Sequence, residues 1–484
     1  MKLSELLHPW VMTTISDCDV VGLQNDSRKV KPGYLFLAYP GAAADGRLFI
    51  QQAIISGAVA IVYDPEKLPS TRVLPSHIPC FPVPQLGMKL AAIASRFYDY
   101  PTRALSITGV TGTNGKTTIA YQLAQAYSLL GGHAAYIGTL GQGQVQALEP
   151  LLNTTPDALS LQQFLHEYQQ AGIQHVCMEV SSHALSQGRV DQIDFTQGIY
   201  TNLSHEHLDY HHTMQAYADA KALLFEKPSL QWAIINDDDE YSSLMMRNMG
   251  AACKKLTYGL NDGCDVRAVN WQISMSGSQL EVVSPWGKHD VRVNLLGKFN
   301  IYNSLAVFAS LLANGVAVTD AVQVMGKLKA SPGRMEVVAQ KPCVIVDYAH
   351  TPDALDNVLS TLGQLKKGRL GVVFGCGGDR DKTKRPMMGR IASQYADFVI
   401  VTSDNPRSED PLRIVEDVAE GLLPTIKAIK IVDREQAIDQ GLQMAGDLDI
   451  LLIAGKGHEA YQQIGKERFV FSDQDVVRKL LSKR

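Results

Sequence analysis

The sequence predicts an α/β fold with largely parallel sheets, on three observations. Apolar, β-rich runs alternate with helical patterns over most of the 484 residues. One such run, residues 104–108, leads into a glycine-rich loop and then a helical pattern, the order a phosphate-binding unit needs. From Pro342 onward, four more apolar runs each stop at a polar cluster, as strands of an open parallel sheet do where ligands bind.

Size and composition narrow the classes. A chain of 484 residues is too long for one core, and ~150 residues per domain gives two to four domains. With 45% hydrophobic and 19% charged residues the composition is that of a globular protein. A net charge of -4 gives no general attraction to nucleic acid or to an anionic membrane. Anionic substrates must therefore be held by local cations. The 7 cysteines (18, 80, 177, 253, 264, 343, 376) show no CxxC spacing, so reduced thiols and a cytoplasmic location are expected. Residues 1–7 lack a signal-peptide core, and no run of ~20 apolar residues offers a bilayer span.

The first ~85 residues hold short strands (33–38, 59–62) and Pro/Gly-rich turns, and read as a domain of their own. The apolar stretch 304–318 reads as a buried helix. A second boundary falls at Ala330-Ser331-Pro332-Gly333. The expected domains are 1–86, 87–330 and 331–484, the central one built on a P-loop ATPase-like parallel sheet.

In that central part runs Gly109-Val110-Thr111-Gly112-Thr113-Asn114-Gly115-Lys116-Thr117-Thr118. Glycines let backbone N–H groups face phosphate oxygens, and the following helix N-terminus favours the anion. Lys116 is expected to reach the β/γ-phosphates and Thr117 to bind magnesium. The spacing is GxxGxxGKT, with Val110 where GxxxxGK[ST] has its first glycine. Glu179 closes the apolar run 175–179 and is placed to hold magnesium directly or through water. The histidine-rich segment 202–212 approaches a zinc pattern, but Tyr210 breaks the spacing between Asp209 and His211. With a P-loop upstream, a nucleotide site is the simpler use.

The four later clusters begin at Asp347, Gly375, Thr402 and Ala454. Together they put both charge signs on one sheet edge, which suits a zwitterionic amino acid. A nucleotide site and an amino-acid site on separate domains suggest a ligase or transferase that closes over its substrates. A nucleotide switch without catalysis needs neither the Asp347–His350 nor the Asp404–Arg407 cluster.

These motifs resemble the Mur ligase family. The resemblance is carried by residues 111–118, 179–183, 202–211, Gly297-Lys298-Phe299-Asn300-Ile301-Tyr302-Asn303, Gly333-Arg334-Met335-Glu336 and Asp347-Tyr348-Ala349-His350, in the family's order. Asp404-Asn405-Pro406-Arg407 is similar to the motif of members that add meso-diaminopimelate; lysine-adding relatives usually replace the arginine. The resemblance implies a UDP-binding N-terminal domain, a central ATPase and a Rossmann-like C-terminal domain. It implies ATP, Mg²⁺, UDP-MurNAc-L-Ala-D-Glu and meso-diaminopimelate as ligands, an acyl phosphate intermediate, a monomer, and no nucleic-acid or membrane partner. By resemblance, ATP is held by Gly112, Thr113, Asn114, Gly115, Lys116, Thr117, Thr118, Asn300, Asn303, Arg334 and Asp347. Lys116, Glu179, His207, Lys221, Arg334 and Asp347 are the expected catalytic set, with Arg334 and Lys116 offsetting phosphoryl charge. Thr117, Glu179, His207 and a carbamylated Lys221 are implied around magnesium. Ser27, Asn153, Thr154, Thr155, Ser181, Gln187 and Arg189 match the muramoyl-peptide side. Arg380, Asp404, Asn405, Pro406, Arg407, Gly455 and Glu459 match the amino-acid pocket. Two departures stand near Ser27: Asn25 where leucine is common, and Ala42-Ala43 where a His-Gln pair is common.

Overall fold

Along the strand Tyr34–Ala38 successive side chains fall on opposite faces: Leu35 and Leu37 join one apolar cluster, Phe36 and Ala38 another. The computed structural model describes residues 1–12, 17–41, 44–68, 75 and 77–484. The departure at Ala42-Ala43 lies outside the described residues. Two compact units emerge, Met1–Lys116 with Tyr127–Leu256, and Thr117–Ala126 with Thr257–Arg484.

The first unit begins with four parallel strands, β1 (Gly22–Gln24), β2 (Tyr34–Ala38), β3 (Ala60–Tyr63) and β4 (Cys80–Pro82), side by side in that order. The helix Leu86–Phe97 covers one face with Leu86, Leu90, Ile93 and Ala94. The same unit then holds β5 (Ser106–Thr111), β6 (Ala134–Gly138), β7 (Gly141–Gly143), β8 (His175–Glu179), β9 (Phe195–Tyr200) and β10 (Trp232–Asn236). Their spatial order is β10-β9-β5-β8-β6-β7, all parallel except β7, which returns against β6. Strand β5 reaches Thr111, so Gly109 and Val110 belong to the sheet and not to the loop that the glycine pattern suggested. Gly109 is needed there for packing: a Cβ would stand 2.7 Å from the Phe195 ring. The turn proper runs Gly112–Gly115, and Val110 lies in the strand before it.

The second unit carries a feature the alternating pattern hid. Strands β11 (Lys254–Gly259) and β12 (Val266–Ser274) pair in parallel through Tyr258 and Gly259, and β12 continues into an antiparallel meander with β13 (Gly277–Ser284) and β14 (Gly287–Val293). Its strands are half exposed and polar, which is why no apolar run announced them. The helix Lys298–Ala313 is buried along nearly its whole length; it begins six residues before the apolar stretch 304–318 and stops at Asn314, and Val318 opens the next helix.

The last sheet comprises β15 (Glu336–Gln340), β16 (Cys343–Asp347), β17 (Leu370–Phe374), β18 (Phe398–Val401), β19 (Lys427–Lys430) and β20 (Ile450–Ala454). Its order is β15-β16-β20-β17-β18-β19, parallel apart from β15. Both faces are covered: Ile345, Val372, Val399 and Leu452 enter one core, Val344, Val373, Ile400 and Leu451 the other. That double burial makes β16, β17, β18 and β20 read as apolar runs, while the edge strands β15 and β19 are partly exposed. A hairpin, β21 (Tyr461–Ile464) and β22 (Glu467–Val470), follows β20. Among the described residues no helix is long and apolar enough to cross a membrane.

Candidate active site

In the first unit β5, β8 and β9 end side by side, with Val110 paired to Glu179 and Thr111 to Tyr200. The turn after β5 is pinned to the exit of β9. Thr113 N donates to Asn202 O at 2.8 Å, Asn114 N to Asn202 Oδ1 at 3.0 Å, and Thr201 Oγ1 to Asn114 O at 2.6 Å. Gly112 is required: a Cβ there would lie 1.8 Å from Thr201 Oγ1. Lys116 Nζ curls back to donate to Gly112 O (2.8 Å) and Thr113 O (2.7 Å), which parks the ammonium over the turn. Thr117 and Thr118, the next two residues, are buried in the first turn of the helix Lys116–Leu129.

Glu179 is 1% exposed, and its carboxylate accepts from Tyr136 Oη, Thr139 N (2.8 Å) and Thr139 Oγ1 (3.3 Å). Lys221 sits on the helix Met214–Ala222. It is no solvated helix lysine: it is 1% exposed, and Nζ donates to Gly112 O at 2.8 Å. Burial, with the Lys116 charge adding, pushes its pKa well below the ordinary lysine value. Its Nζ lies 4.4 Å from the Tyr217 ring centre. Burial also lowers His207, and drives its edge-on neighbour His183 down to about 4.

A cavity of about 270 Å³ brings together eight of the expected residues: Lys116, Asn153, Thr154, Thr155, Ser181, Arg189, His207 and Lys221. His183 and Tyr217 also line it, and sequence reasoning missed both. His183 ends the motif that contains Glu179; Tyr217 stands four residues before Lys221, on the same helical face. Gln187 is adjacent, its Oε1 accepting from Arg189 Nε at 3.0 Å. Ser27 is not among the lining residues; its Oγ donates to Gln52 Oε1 at 2.9 Å. Asn25 Nδ2 donates to Tyr39 Oη at 3.2 Å, a bond leucine cannot make.

Whether this donor set suits magnesium can be tested from its chemistry. Mg²⁺ prefers oxygen ligands, one or two carboxylates plus substrate phosphates. Glu179, buried at the end of β8, is a carboxylate of that kind. Among the described residues no group of three His, Cys, Asp or Glu side chains is arranged to hold a metal ion. As an ammonium, Lys221 contributes repulsion; as a carbamate it would contribute oxygens.

The second unit carries the other expected residues. Asn300 and Asn303 are buried one helical turn apart, and Asn303 Nδ2 donates to Asn300 Oδ1 at 2.8 Å. Asp347 ends β16, accepting from Met335 N and Ala349 N at 2.7 Å each. Burial raises its pKa, while Arg334 opposes the rise. The Arg334 guanidinium stacks 4.6 Å above the Tyr348 ring. The ends of β16, β20, β17 and β18 do share one edge, as their parallel registers require.

The loop after β18 is held from several sides. Arg407 adopts φ +51°, its N donates to Gln463 O (3.1 Å), and its Nη1 donates to Gly378 O (2.7 Å). Gly378 approaches so closely that a Cβ would lie 1.9 Å from Pro406 O. Asn405 Nδ2 donates to Glu459 Oε2 at 2.7 Å. Gly455 has φ +113°, and a Cβ there would press on Asp404 Oδ2 at 2.7 Å. Arg380 is exposed beside this loop, its Nη1 donating to Asp379 O. Beneath, Arg434 and Asp473 form an ion pair with neither side chain exposed, and Arg434 also donates to Ala454 O and Ser403 O. Arg385, equally buried, pairs with Glu409 (2.8 Å) and Asp417 (2.7 Å).

A P-loop turn beside a buried carboxylate and a buried lysine, with a second parallel sheet edged by polar loops, defines a nucleotide-using α/β enzyme. Family models agree in detail: the Mur ligase middle domain matches residues 110–311, the Mur ligase glutamate ligase domain 333–457, and the Mur ligase family catalytic domain 19–98. The chain belongs to the Mur ligase family. It is 45% identical over 465 residues to the UDP-N-acetylmuramoyl-L-alanyl-D-glutamate--2,6-diaminopimelate ligase of Chromobacterium violaceum, covering 95% of this chain and 94% of that one. It is 41% identical to the ligase of the same name from Coxiella burnetii, covering 99% of each. A solved structure of a ligase of that name superposes with a TM-score of 0.72 at 37% identity, covering 100% of this chain and 99% of the other.

Proposed function

We propose that this chain is an ATP-dependent ligase that joins meso-diaminopimelate to the D-glutamate γ-carboxylate of UDP-MurNAc-L-Ala-D-Glu, in the making of peptidoglycan precursor. The observation that carries the reading is the Asp404–Arg407 loop, fixed on the polar edge of the second sheet in a chain whose relatives bear that ligase's name. A γ-carboxylate oxygen attacks the γ-phosphorus of ATP and ADP leaves. The amine of the diamino acid then attacks the acyl carbon, loses a proton, and inorganic phosphate departs.

In this reading Lys116 leaves its loop carbonyls for the phosphates, and Arg334 adds positive charge where phosphoryl charge develops. Asn153, Thr154, Thr155, Ser181, Gln187 and Arg189 hold the peptidyl end, and Ser27 belongs to the uridine side. Arg407 pairs with the distal carboxylate of diaminopimelate, a group lysine lacks. Bound through Thr117, Glu179, His207 and Lys221, Mg²⁺ would supply charge neutralisation to the transferring phosphoryl group. Burial lowers the Lys221 pKa and so favours the neutral amine, the form that takes up CO₂ to give a carbamate. The domains in this reading are 1–86, 87–330 and 331–484, the enzyme is a monomer, and its place is the cytoplasm.

The test is phosphate release from ATP and Mg²⁺ with UDP-MurNAc-L-Ala-D-Glu, supplying meso-diaminopimelate or L-lysine in parallel. Release with diaminopimelate alone is expected. Release with lysine alone would overturn the specificity, and release with neither would overturn the function.

A further inference from the structure

Lys456 lies just after β20, is 0% exposed, and nothing above gives it a task. Its Nζ donates to Asn405 Oδ1 at 3.1 Å and to Glu459 Oε2 at 3.1 Å, and sits 5.5 Å from the centre of the Tyr461 ring. Burying an ammonium is costly unless it is paired and hydrogen-bonded, so a fold keeps one only where its partners need it. The partners decide what the need is. Buried Arg434 spends its donors on Asp473 and on the backbone carbonyls of Ala454 and Ser403, which is architecture. The hydrogen bonds of Lys456 run to two side chains, both of them assigned above to the amino-acid pocket.

The geometry also settles which way the Asn405 amide faces. Its Oδ1 receives Lys456 Nζ and the backbone N–H of Gln463 (2.9 Å), and two donors on one atom require an oxygen. Nδ2 is thereby turned to Glu459 Oε2, at 2.7 Å. Glu459 Oε2 receives both Lys456 and Asn405, which fixes the rotamer of that carboxylate. The hairpin β21–β22 completes the brace. Gln462 Nε2 donates to Asp404 O (2.8 Å) and Ser403 Oγ (3.3 Å), and the Arg407 backbone bonds Gln463 and Gly465.

We propose that Lys456 is a positioning residue of the diamino-acid site: from beneath, it orients Asn405 and Glu459 toward the ligand, while the hairpin residues Gln462 and Gln463 hold the Asp404–Arg407 backbone against it. Neither Lys456 nor the hairpin touches the reacting atoms. This rests on the function proposed above. Without the ammonium, Glu459 loses its counter-charge and Asn405 is free to flip. A flipped amide presents an oxygen where a nitrogen stood, beside a carboxylate.

The experiment compares wild type, Lys456→Met and Gln462→Leu, reading KM for meso-diaminopimelate, KM for ATP, kcat and melting temperature. Met keeps most of the side-chain volume and removes the charge. The diaminopimelate KM should rise about tenfold or more in Lys456→Met and a few-fold in Gln462→Leu, with the ATP KM within about twofold of wild type. If Lys456→Met does not fold, Gln462→Leu alone decides. Rises in both KM values in step, or a diaminopimelate KM unmoved in whichever variants fold, would overturn the positioning role and leave the ligase reading intact. A wild-type enzyme that releases no phosphate with diaminopimelate would overturn the function, and this inference with it.

Discussion

Lys221 Nζ donates to the carbonyl oxygen of Gly112 at 2.8 Å, joining a helix to a phosphate turn 109 residues earlier in the chain. A lysine that is 1% exposed, with its pKa lowered by burial, and held against the Gly112–Gly115 turn, is not placed for solubility. Lys221→Met should keep the fold, since methionine fills most of the volume of this buried side chain, yet lower turnover by about a hundredfold or more. Steady-state phosphate release checks the rate. Carbon-13 NMR after incubation with labelled bicarbonate checks the modification: a carbamate resonance in wild type, absent in the variant, is expected. Equal turnover in the two would remove Lys221 from the mechanism.

Lys116 bonds two carbonyls of its own loop, so its replacement leaves Gly112 O to Lys221 and Thr113 O to water, with the turn in place. Lys116→Ala should lower ATP turnover by about a hundredfold or more, with a melting temperature close to wild type. Retained turnover would reassign the phosphate site.

Arg407 combines a side-chain role with a strained backbone, φ +51° for a residue that carries a Cβ. The two separate by substitution. Arg407→Ala and Arg407→Gly should raise the diaminopimelate KM alike and leave the ATP KM nearly unchanged. The glycine variant should be the more stable of the two by about 1 kcal/mol, because glycine adopts this conformation without steric cost. Thermal unfolding of both, set beside their kinetics, checks the pair of claims. Arg407→Lys should not restore the KM, since lysine cannot pair bidentately with a carboxylate.

Glu409 is held down to about 2, first by its bonds to the Arg385 guanidinium and also by Asp379 N. Arg385 has no exposed surface, so an uncharged Glu409 leaves part of a buried cation unpaired. A carboxyl group with a depressed folded pKa contributes stability above its ordinary value and loses it as pH falls through the folded one. Glu409→Gln should therefore be destabilised by about 2–3 kcal/mol at neutral pH, less than a fully broken buried pair because Asp417 remains. Its deficit against wild type should shrink between about pH 4.5 and pH 2. Denaturant unfolding across that range is the measurement, and a constant deficit would rule out the ion pair as its cause.

What could be read from the sequence depended on how local the signal was. The phosphate turn was legible because glycines, lysine and threonine are consecutive, though Gly109 was assigned to the loop when it serves the packing of Phe195. Four strands of the last sheet were legible because strands buried on both faces read as apolar runs, and their polar clusters fell on one edge; the exposed edge strands 336–340 and 427–430 left no such run. The burial of Lys221 was not, since a lysine on a weakly patterned helix looks solvated until a turn far away in sequence is folded against it. Lys456 stood in plain view between two glycines. Its meaning came only with the distances to Asn405 and Glu459. The β12–β14 meander left no trace because its exposed face is polar.

The ion pair of Arg434 and Asp473 has a consequence for how the chain is born. Synthesis is vectorial, and Asp473 leaves the ribosome 39 residues after Arg434. Until it does, an arginine destined for full burial has only the carbonyls of Ser403 and Ala454 to meet, at the very strand ends that bear the amino-acid loops. The helix Asp473–Leu481 is thus the keystone, set last. Nascent chains arrested before it should hold a finished first unit and an unfinished second, and a truncation that removes Asp473–Arg484 should cost the amino-acid pocket, through the lost Arg434 pair and the lost bond from Gln474 to Gly457 O.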